Sequence, residues 1–456
     1  MITAEPVVTR PTLRQLLALA WPIVVSRSSQ VVVGTADALM VAPLGEAALG
    51  ATTTASLNSF AFFALQIGTV FIVGSFASQL SGRGDDAGAR RYALYGLVIA
   101  ALSAVLAAGA IPFLPKLASV LSLDAEVEPL VVDYMRHRLW SAGAAVGLEA
   151  LGAYYGGTKN TVLPMIAQVL AMALNVAFNW VLIYGKLGAP AMGVAGAGLA
   201  STLATLIAFL FLLGCFVVGF GAPKVSAGRM RLAELWRTLR FGVPVGLNWF
   251  VELGAFLIFV DVVIAGLGKT ELAATMAVMQ INSVSFMPAF AMASAGAIFV
   301  GQAIGADKKD DVARTLRLTI TATVAWQGML ALLYVALPRV WLAPFVPEDA
   351  PGFLAIGAGV LALSAAWQLF DGAAMALAEA LRAAGDTAFS LWARAAIGWL
   401  VFVPGALLTT RLWGGRELAA ASWLVVYLAL LAAVLGWRFL GGRWRTMELV
   451  EEPLVE

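Results

Sequence analysis

The chain is 456 residues long, 61% hydrophobic and only 12% charged, with a formal net charge of +2. A soluble globular chain carries about 25% charged residues, so this composition excludes a soluble enzyme or a nucleic-acid-binding module and implies a polytopic membrane protein. A lone cysteine, Cys215, excludes an intramolecular disulfide, and with His137 as the sole histidine there is no Cys/His metal set. No P-loop or dinucleotide fingerprint is present, so no cofactor is expected and any energy input must come from an ion gradient.

A bilayer core of about 30 Å takes about 20 apolar residues per helix. Twelve such runs are predicted, at 15–41, 52–78, 92–114, 128–154, 162–184, 193–219, 241–266, 272–299, 315–337, 352–379, 389–409 and 418–440. The N-terminal MITAEPVVTRPTLRQ lacks an apolar signal core, so the first helix is read as the membrane signal itself. The predicted organisation is a segment 1–14, an N-lobe 15–219 with helices 1–6, a basic connecting loop 220–240, a C-lobe 241–440 with helices 7–12, and a tail 441–456. With the N-terminus inside, most basic residues fall on the cytoplasmic side, among them Arg83, Arg90, Arg91, Lys159, Arg237, Lys308 and Arg394. The positive-inside rule then places both termini in the cytoplasm, on a multi-pass protein of the cytoplasmic (inner) membrane.

The two lobes repeat one another. LGEAALGA at 44–51 aligns with LGKTELAA at 267–274, an offset of 223. At the same offset Gln79 meets Gln302, Gly82 meets Gly305 and Arg91 meets Arg314. Six helices per half make the repeat parallel, an arrangement found in secondary transporters whose substrate sites lie between the repeats.

Against this apolar background, ionisable groups stand out. Each costs about 2.5–3.5 kcal/mol at the centre of a span on insertion scales. Asp37 lies in helix 1, Glu149 in helix 4, Glu252 and Asp261 in helix 7, and Asp371 and Glu379 in helix 10. Asp261, Glu149 and Glu379 are near enough to helix ends to be solvated, and Arg27 is expected to reach back to the cytoplasm. No basic residue in the spans is expected to pair with Asp37, Glu252 or Asp371. Such a carboxylate is costly to leave ionised, so it calls for a proton, a metal cation or a cationic ligand. Asn175 and Asn179 in helix 5 are four apart and share a face. Candidates for a substrate cavity are Gln30 and Gly34 in helix 1, Asn248 and Phe256 in helix 7, Met279, Asn282 and Phe286 in helix 8, and Trp367 and Gln368 in helix 10. Pro22 is a candidate hinge, because its ring removes a backbone donor, although it lies near enough to the start of helix 1 to be a first-turn residue.

These residues resemble the multidrug and toxic-compound extrusion (MATE) family, in its NorM-like branch. The resemblance spans about residues 12–440. It rests on Pro22 fifteen residues before Asp37, on ADALMVAPLG, on NVAFNWVLIYGKLGAPAMGVAGAGLAST at 175–202, on TKNT at 158–161 and on ALRAAGDT at 380–387. Glu252, fourteen before Gly266, and Asp371, eleven before Arg382, fall where that branch keeps its C-lobe acids.

The resemblance implies an all-α, twelve-helix, V-shaped protein of two pseudo-symmetric six-helix lobes. Its implied activity is antiport, exporting small cationic or amphipathic drugs in exchange for Na⁺ or H⁺ and conferring antibiotic resistance. It assigns Asp37, Asn175, Asn179 and Ser201 to an N-lobe cation site, and Glu252 and Asp371 to a C-lobe site that holds Na⁺ if coupling is to sodium. Ser201 stands where many relatives have threonine, Asn179 where some archaeal ones have aspartate, and Trp367 where the branch has tyrosine. A monomer in the bilayer is expected, with no nucleic-acid partner. The alternative in the same superfamily is a lipid-linked precursor flippase, which lines its cavity with Arg or Lys that these spans scarcely offer. A major facilitator lacks its loop pattern here, a channel has no use for two separate acid sites, and a membrane enzyme has no nucleophile constellation.

Overall fold

The computed structural model describes residues 10–120, 123–346, 350 and 352–450. Most of the predicted segment 1–14 and the end of the tail 441–456 lie outside the described residues. Those residues are mostly helical, with no strand among them.

Eleven helices are long and apolar enough to cross a membrane: Leu13–Leu44, Glu46–Arg83, Asp86–Ser119, Val162–Tyr184, Gly193–Val218, Leu232–Ile264, Lys269–Gly305, Asp310–Ala336, Phe353–Ala384, Thr387–Arg411 and Glu417–Leu440. A twelfth lies between the third and the fourth of these. It runs as Val127–Arg138 and Ala142–Gly157, joined by a 3₁₀ turn at Leu139–Ser141. It falls outside the eleven because its first half, VEPLVVDYMRHR, is charged. In chain order these are spans 1–12, and the predicted fold of twelve helices in two sets of six is the observed one. Span 7 starts at Leu232, inside the predicted connector, because LAELWRTLR is a good helical sequence that continues straight into the apolar run.

The repeat is visible in the backbone. Span 2 is preceded by Gly45 and span 8 by Gly268, with φ of 112° and 152°. Further along each half and related by the same offset, Gly84 and Asp307 have φ of 79° and 56°. Glycine adopts these values freely, and aspartate is one of the few other residues to visit the left-handed region. The Asp85 side chain then accepts the Gly88 N–H at 2.7 Å and caps span 3.

The chain forms two compact units. The first is Pro22–Gly246, and the second holds the described residues from Arg10 to Trp21 and from Leu247 onward. The boundaries fall within spans 1 and 7, at Pro22 and two residues after Pro244. Pro22 lies well inside its helix, which starts at Leu13, so it is not the first-turn residue that its sequence position also allowed. Within the first unit, span 2 crosses span 7 near its middle, at Gly68 and Gly246. A Cβ on Gly68 would stand 2.5 Å from the Gly246 Cα, so the crossing requires glycine.

The core of the second unit is built on Phe259, Phe353, Phe402 and Tyr334, all buried. Spans 7 and 11 each loosen into a π segment, Phe259–Ile264 and Ile397–Phe402. Phe259 and Phe402 meet at 5.1 Å between ring centres, and Phe402 meets Tyr427 of span 12 at 5.4 Å. Each such pair contributes about 0.5–1.5 kcal/mol beyond its buried area, so the extra backbone residue of each π segment is held in place by aromatic packing.

Candidate cation sites

In the first unit, Asn175 and Asn179 lie one turn apart on span 5 and so present both amides in one direction. They face Asp37 of span 1. Asn175 Nδ2 donates to Asp37 Oδ1 at 3.1 Å and Asn179 Nδ2 to the same oxygen at 2.6 Å. Ser201 Oγ of span 6 donates to Asp37 Oδ2 at 2.9 Å and accepts from Asn175 Nδ2 at 2.9 Å. All four side chains are buried, Asp37 to 3% exposure. The four residues assigned to one site from sequence are therefore together, and their donors are all uncharged. Asp37 makes no ion pair among the described residues, and Asn179 Oδ1 finds no hydrogen-bond partner among them. Each donor to a charged oxygen contributes about 1.5–3 kcal/mol, which holds the carboxylate in place without neutralising it.

One group here was missed from sequence. Arg138, in the charged half of span 4, lies within electrostatic reach of Asp37 and Tyr134. Its guanidinium donates to Ser141 Oγ and stacks 5.3 Å from the Phe63 ring. Two arginines, Arg136 and Arg138, flank the lone histidine in DYMRHRLW, which reads as a membrane-interface cluster, and no spacing rule ties either to span 1.

Two other acids of the spans are paired, against the expectation that they are solvated. Glu149 is 9% exposed and takes both Arg27 nitrogens, at 2.6 and 3.2 Å. Arg27 thus turns to a carboxylate on span 4 instead of reaching back to the cytoplasm. Glu379 pairs with Arg382 one turn later on span 10. Asp261 is exposed at the π segment of span 7.

The second unit gathers Glu252 and Asp371 with a residue that the positive-inside reading had assigned to the cytoplasm. Arg394 of span 11 forms an ion pair with Glu252 of span 7, its own side chain 12% exposed against 41% for the glutamate. The expectation that the acids of the spans lack basic partners is thereby overturned for Glu252. Arg394 sits only seven residues into span 11, near enough to the loop for a sequence reading to place it outside. Tyr427 of span 12 lies within hydrogen-bonding reach of the guanidinium. Asp371 is within electrostatic reach of both Glu252 and Arg394, and its Oδ2 accepts from Gln327 Nε2 of span 9 at 3.1 Å. Five spans of the second unit therefore converge on one pair of acids.

The cavity candidates are dispersed. Gln368 Nε2 donates to Asn282 Oδ1 at 2.9 Å, which links spans 10 and 8. Asn248 Oδ1, Asn282 Nδ2 and Gln368 Oε1 are buried without a partner among the described residues. Phe286 is 40% exposed and stacks on Phe290. Trp367, by contrast, is buried in the apolar core of its unit, and Phe256 and Met279 pack against that core. Gln30 and Gly34 are exposed, with Gln30 accepting from Arg27 at 3.5 Å.

A family model described as MatE matches residues 22–181 and 244–408, the two halves of the internal repeat. Curated relatives carry the name "Probable multidrug resistance protein NorM". That of Pseudomonas putida is 28% identical over 96% of both chains, and that of Neisseria meningitidis serogroup A is 29% identical over 87% of both. A solved outward-facing multidrug resistance MATE family transporter of the MOP superfamily has a TM-score of 0.84 at 18% identity, covering 95% of this chain and 96% of its own. A MOP superfamily transporter from Pyrococcus furiosus, described as having a binding pocket of reverse polarity that suggests a different function, has a TM-score of 0.82 at 19% identity over 95% and 97%. Both likenesses are of fold. With the family model matching most of the chain in both halves, this multi-pass membrane protein belongs to the MatE family of transporters.

Proposed function

We propose that the protein is a secondary active antiporter that exports small cationic or amphipathic drugs across the cytoplasmic membrane in exchange for an inward cation. The observation that carries this reading is Asp37, a buried carboxylate with three uncharged donors and no ion pair among the described residues. Such a group binds a cation in exchange for another cation, because leaving it empty and ionised is costly. The relatives' name supplies drugs as the substrate class. In this reading Asp37, Asn175, Asn179 and Ser201 form the N-lobe coupling site, Glu252 and Asp371 the C-lobe site, and Asn248, Asn282, Gln368 and Phe286 are the best placed of the substrate contacts. Pro22, inside span 1, is the hinge at which that helix changes direction during the cycle. The lobes 15–219 and 241–440 act as a monomer with both termini cytoplasmic. The flippase alternative is not favoured, since Arg27 and Arg394 are each tied to a carboxylate and Arg138 is buried against Ser141 and Phe63 rather than left to bind pyrophosphate.

The test is transport by the purified protein in liposomes. An imposed pH gradient without Na⁺, then an imposed Na⁺ gradient at fixed pH, should drive saturable movement of a cationic dye in at least one case. Dye movement that ignores both gradients would overturn the reading.

A further inference from the structure

The Glu252–Asp371 pair is the place where a bound Na⁺ would be sought, and its surroundings can be tested for fit. A hard cation is held by a shell of oxygens. The groups turned toward these acids are N–H donors instead. Arg394 donates to Glu252, and Gln327 presents Nε2 to Asp371 at 3.1 Å. The Gln327 Oε1 packs against Gly372, 2.4 Å from where a Cβ there would be, and has no hydrogen-bond partner among the described residues. Thr323 Oγ1, one turn earlier on span 9, donates to the Gly372 carbonyl at 3.0 Å and holds the two helices together. Arg394 in turn is steadied by Tyr427 and cannot lose its charge, as guanidinium stays protonated in proteins.

We infer that Arg394 is the built-in cation of this site and closes it to Na⁺. Two carboxylates and one guanidinium leave a single net negative charge. One further positive charge, a proton on Asp371 or the ammonium group of a substrate, completes the balance. A sodium ion would have to share Glu252 with the guanidinium or displace it, and the amide beside Asp371 turns its Nε2 rather than its Oε1 toward the acid. This deepens the antiporter reading and rests on it only for the consequence that coupling through the second unit is by protons.

The test is direct binding of ²²Na⁺ to the purified full chain, in an Asp37→Asn background so that the first unit is silent. Asp37→Asn alone should bind no Na⁺ above the level of Asp37→Asn/Glu252→Gln. Adding Arg394→Gln to Asp37→Asn should create saturable, near-stoichiometric binding, lost again on Glu252→Gln. Arg394→Met, which fills the same volume, is the second variant should glutamine fail to fold. Na⁺ binding by Asp37→Asn that Glu252→Gln removes would overturn the inference, and so would folded Arg394 variants that gain none. Because the readout is ion binding, a chain that moves no dye yet behaves as expected here would sink the antiporter reading and leave this one standing.

Discussion

In the first unit Asp37 is held by two amides and a hydroxyl, all uncharged, while in the second unit Glu252 is matched by a guanidinium from span 11. Both arrangements satisfy a carboxylate inside an apolar helix bundle, yet they leave different charges behind. Neutral donors orient Asp37, and Arg138, within electrostatic reach but not bonded to it, leaves the carboxylate to an exchangeable partner. A permanent cation cancels the charge of Glu252 and passes what remains to Asp371. The difference teaches that hydrogen-bond satisfaction and charge neutralisation are separate design choices, and that the second narrows which cations a site can take.

The sharpest way to break the comparison is to remove one charge from each side. Asp37→Asn keeps the shape and should abolish gradient-driven dye export in liposomes with little change in melting temperature. Retention of wild-type export would show that the neutral-donor cluster is structural only. Glu252→Gln should behave in the opposite sense, chiefly as a stability defect, because it leaves Arg394 buried and unpaired. The half-exposed glutamate limits the loss to about 1–3 kcal/mol. Thermal unfolding in detergent should show that loss and its recovery in Glu252→Gln/Arg394→Gln. A double variant as unstable as the single one would mean that the pair is not a closed charge balance.

A smaller effect is expected from the supports of Asp37. Asn175→Leu/Asn179→Leu strips two donors from one oxygen and should weaken export about tenfold or more while expression is unchanged, since each charged hydrogen bond contributes about 1.5–3 kcal/mol. Export rates at saturating dye check this, and undiminished rates would reduce the amides to packing between spans. The smallest change is expected from Pro22→Ala, which restores one backbone hydrogen bond to span 1. It should slow export without altering dye binding, and an unaltered rate would remove bending at Pro22 from the cycle.

Much of this was legible in the sequence because the physics is local. Twelve apolar runs follow from bilayer thickness, and the parallel repeat from an offset that the left-handed residues Gly45, Gly268, Gly84 and Asp307 reproduce in the backbone. Asn175 and Asn179 share a face at any helix phase, so their convergence on one partner was foreseeable. The Arg394–Glu252 and Arg27–Glu149 pairs were not. Each joins residues more than a hundred positions apart, and charge counting by loop sorts such arginines by distance from a span's end rather than by what lies across the bundle. The π segments of spans 7 and 11 were equally hidden, since FVDVVI and IGWLVF read as ordinary apolar helix.

Span 4, broken at Leu139–Ser141 and charged along its first half, escapes any scan that asks for one unbroken apolar helix. Eleven is odd and twelve is even. A topology drawn from the eleven more apolar helices would assign every loop after Gly157 to the wrong compartment and reverse the apparent charge bias of the second half. It would also send reporters fused to the two ends of the chain to opposite faces of the bilayer. One charged half-helix, Val127–Arg138, thus decides how some three hundred downstream residues would be mapped.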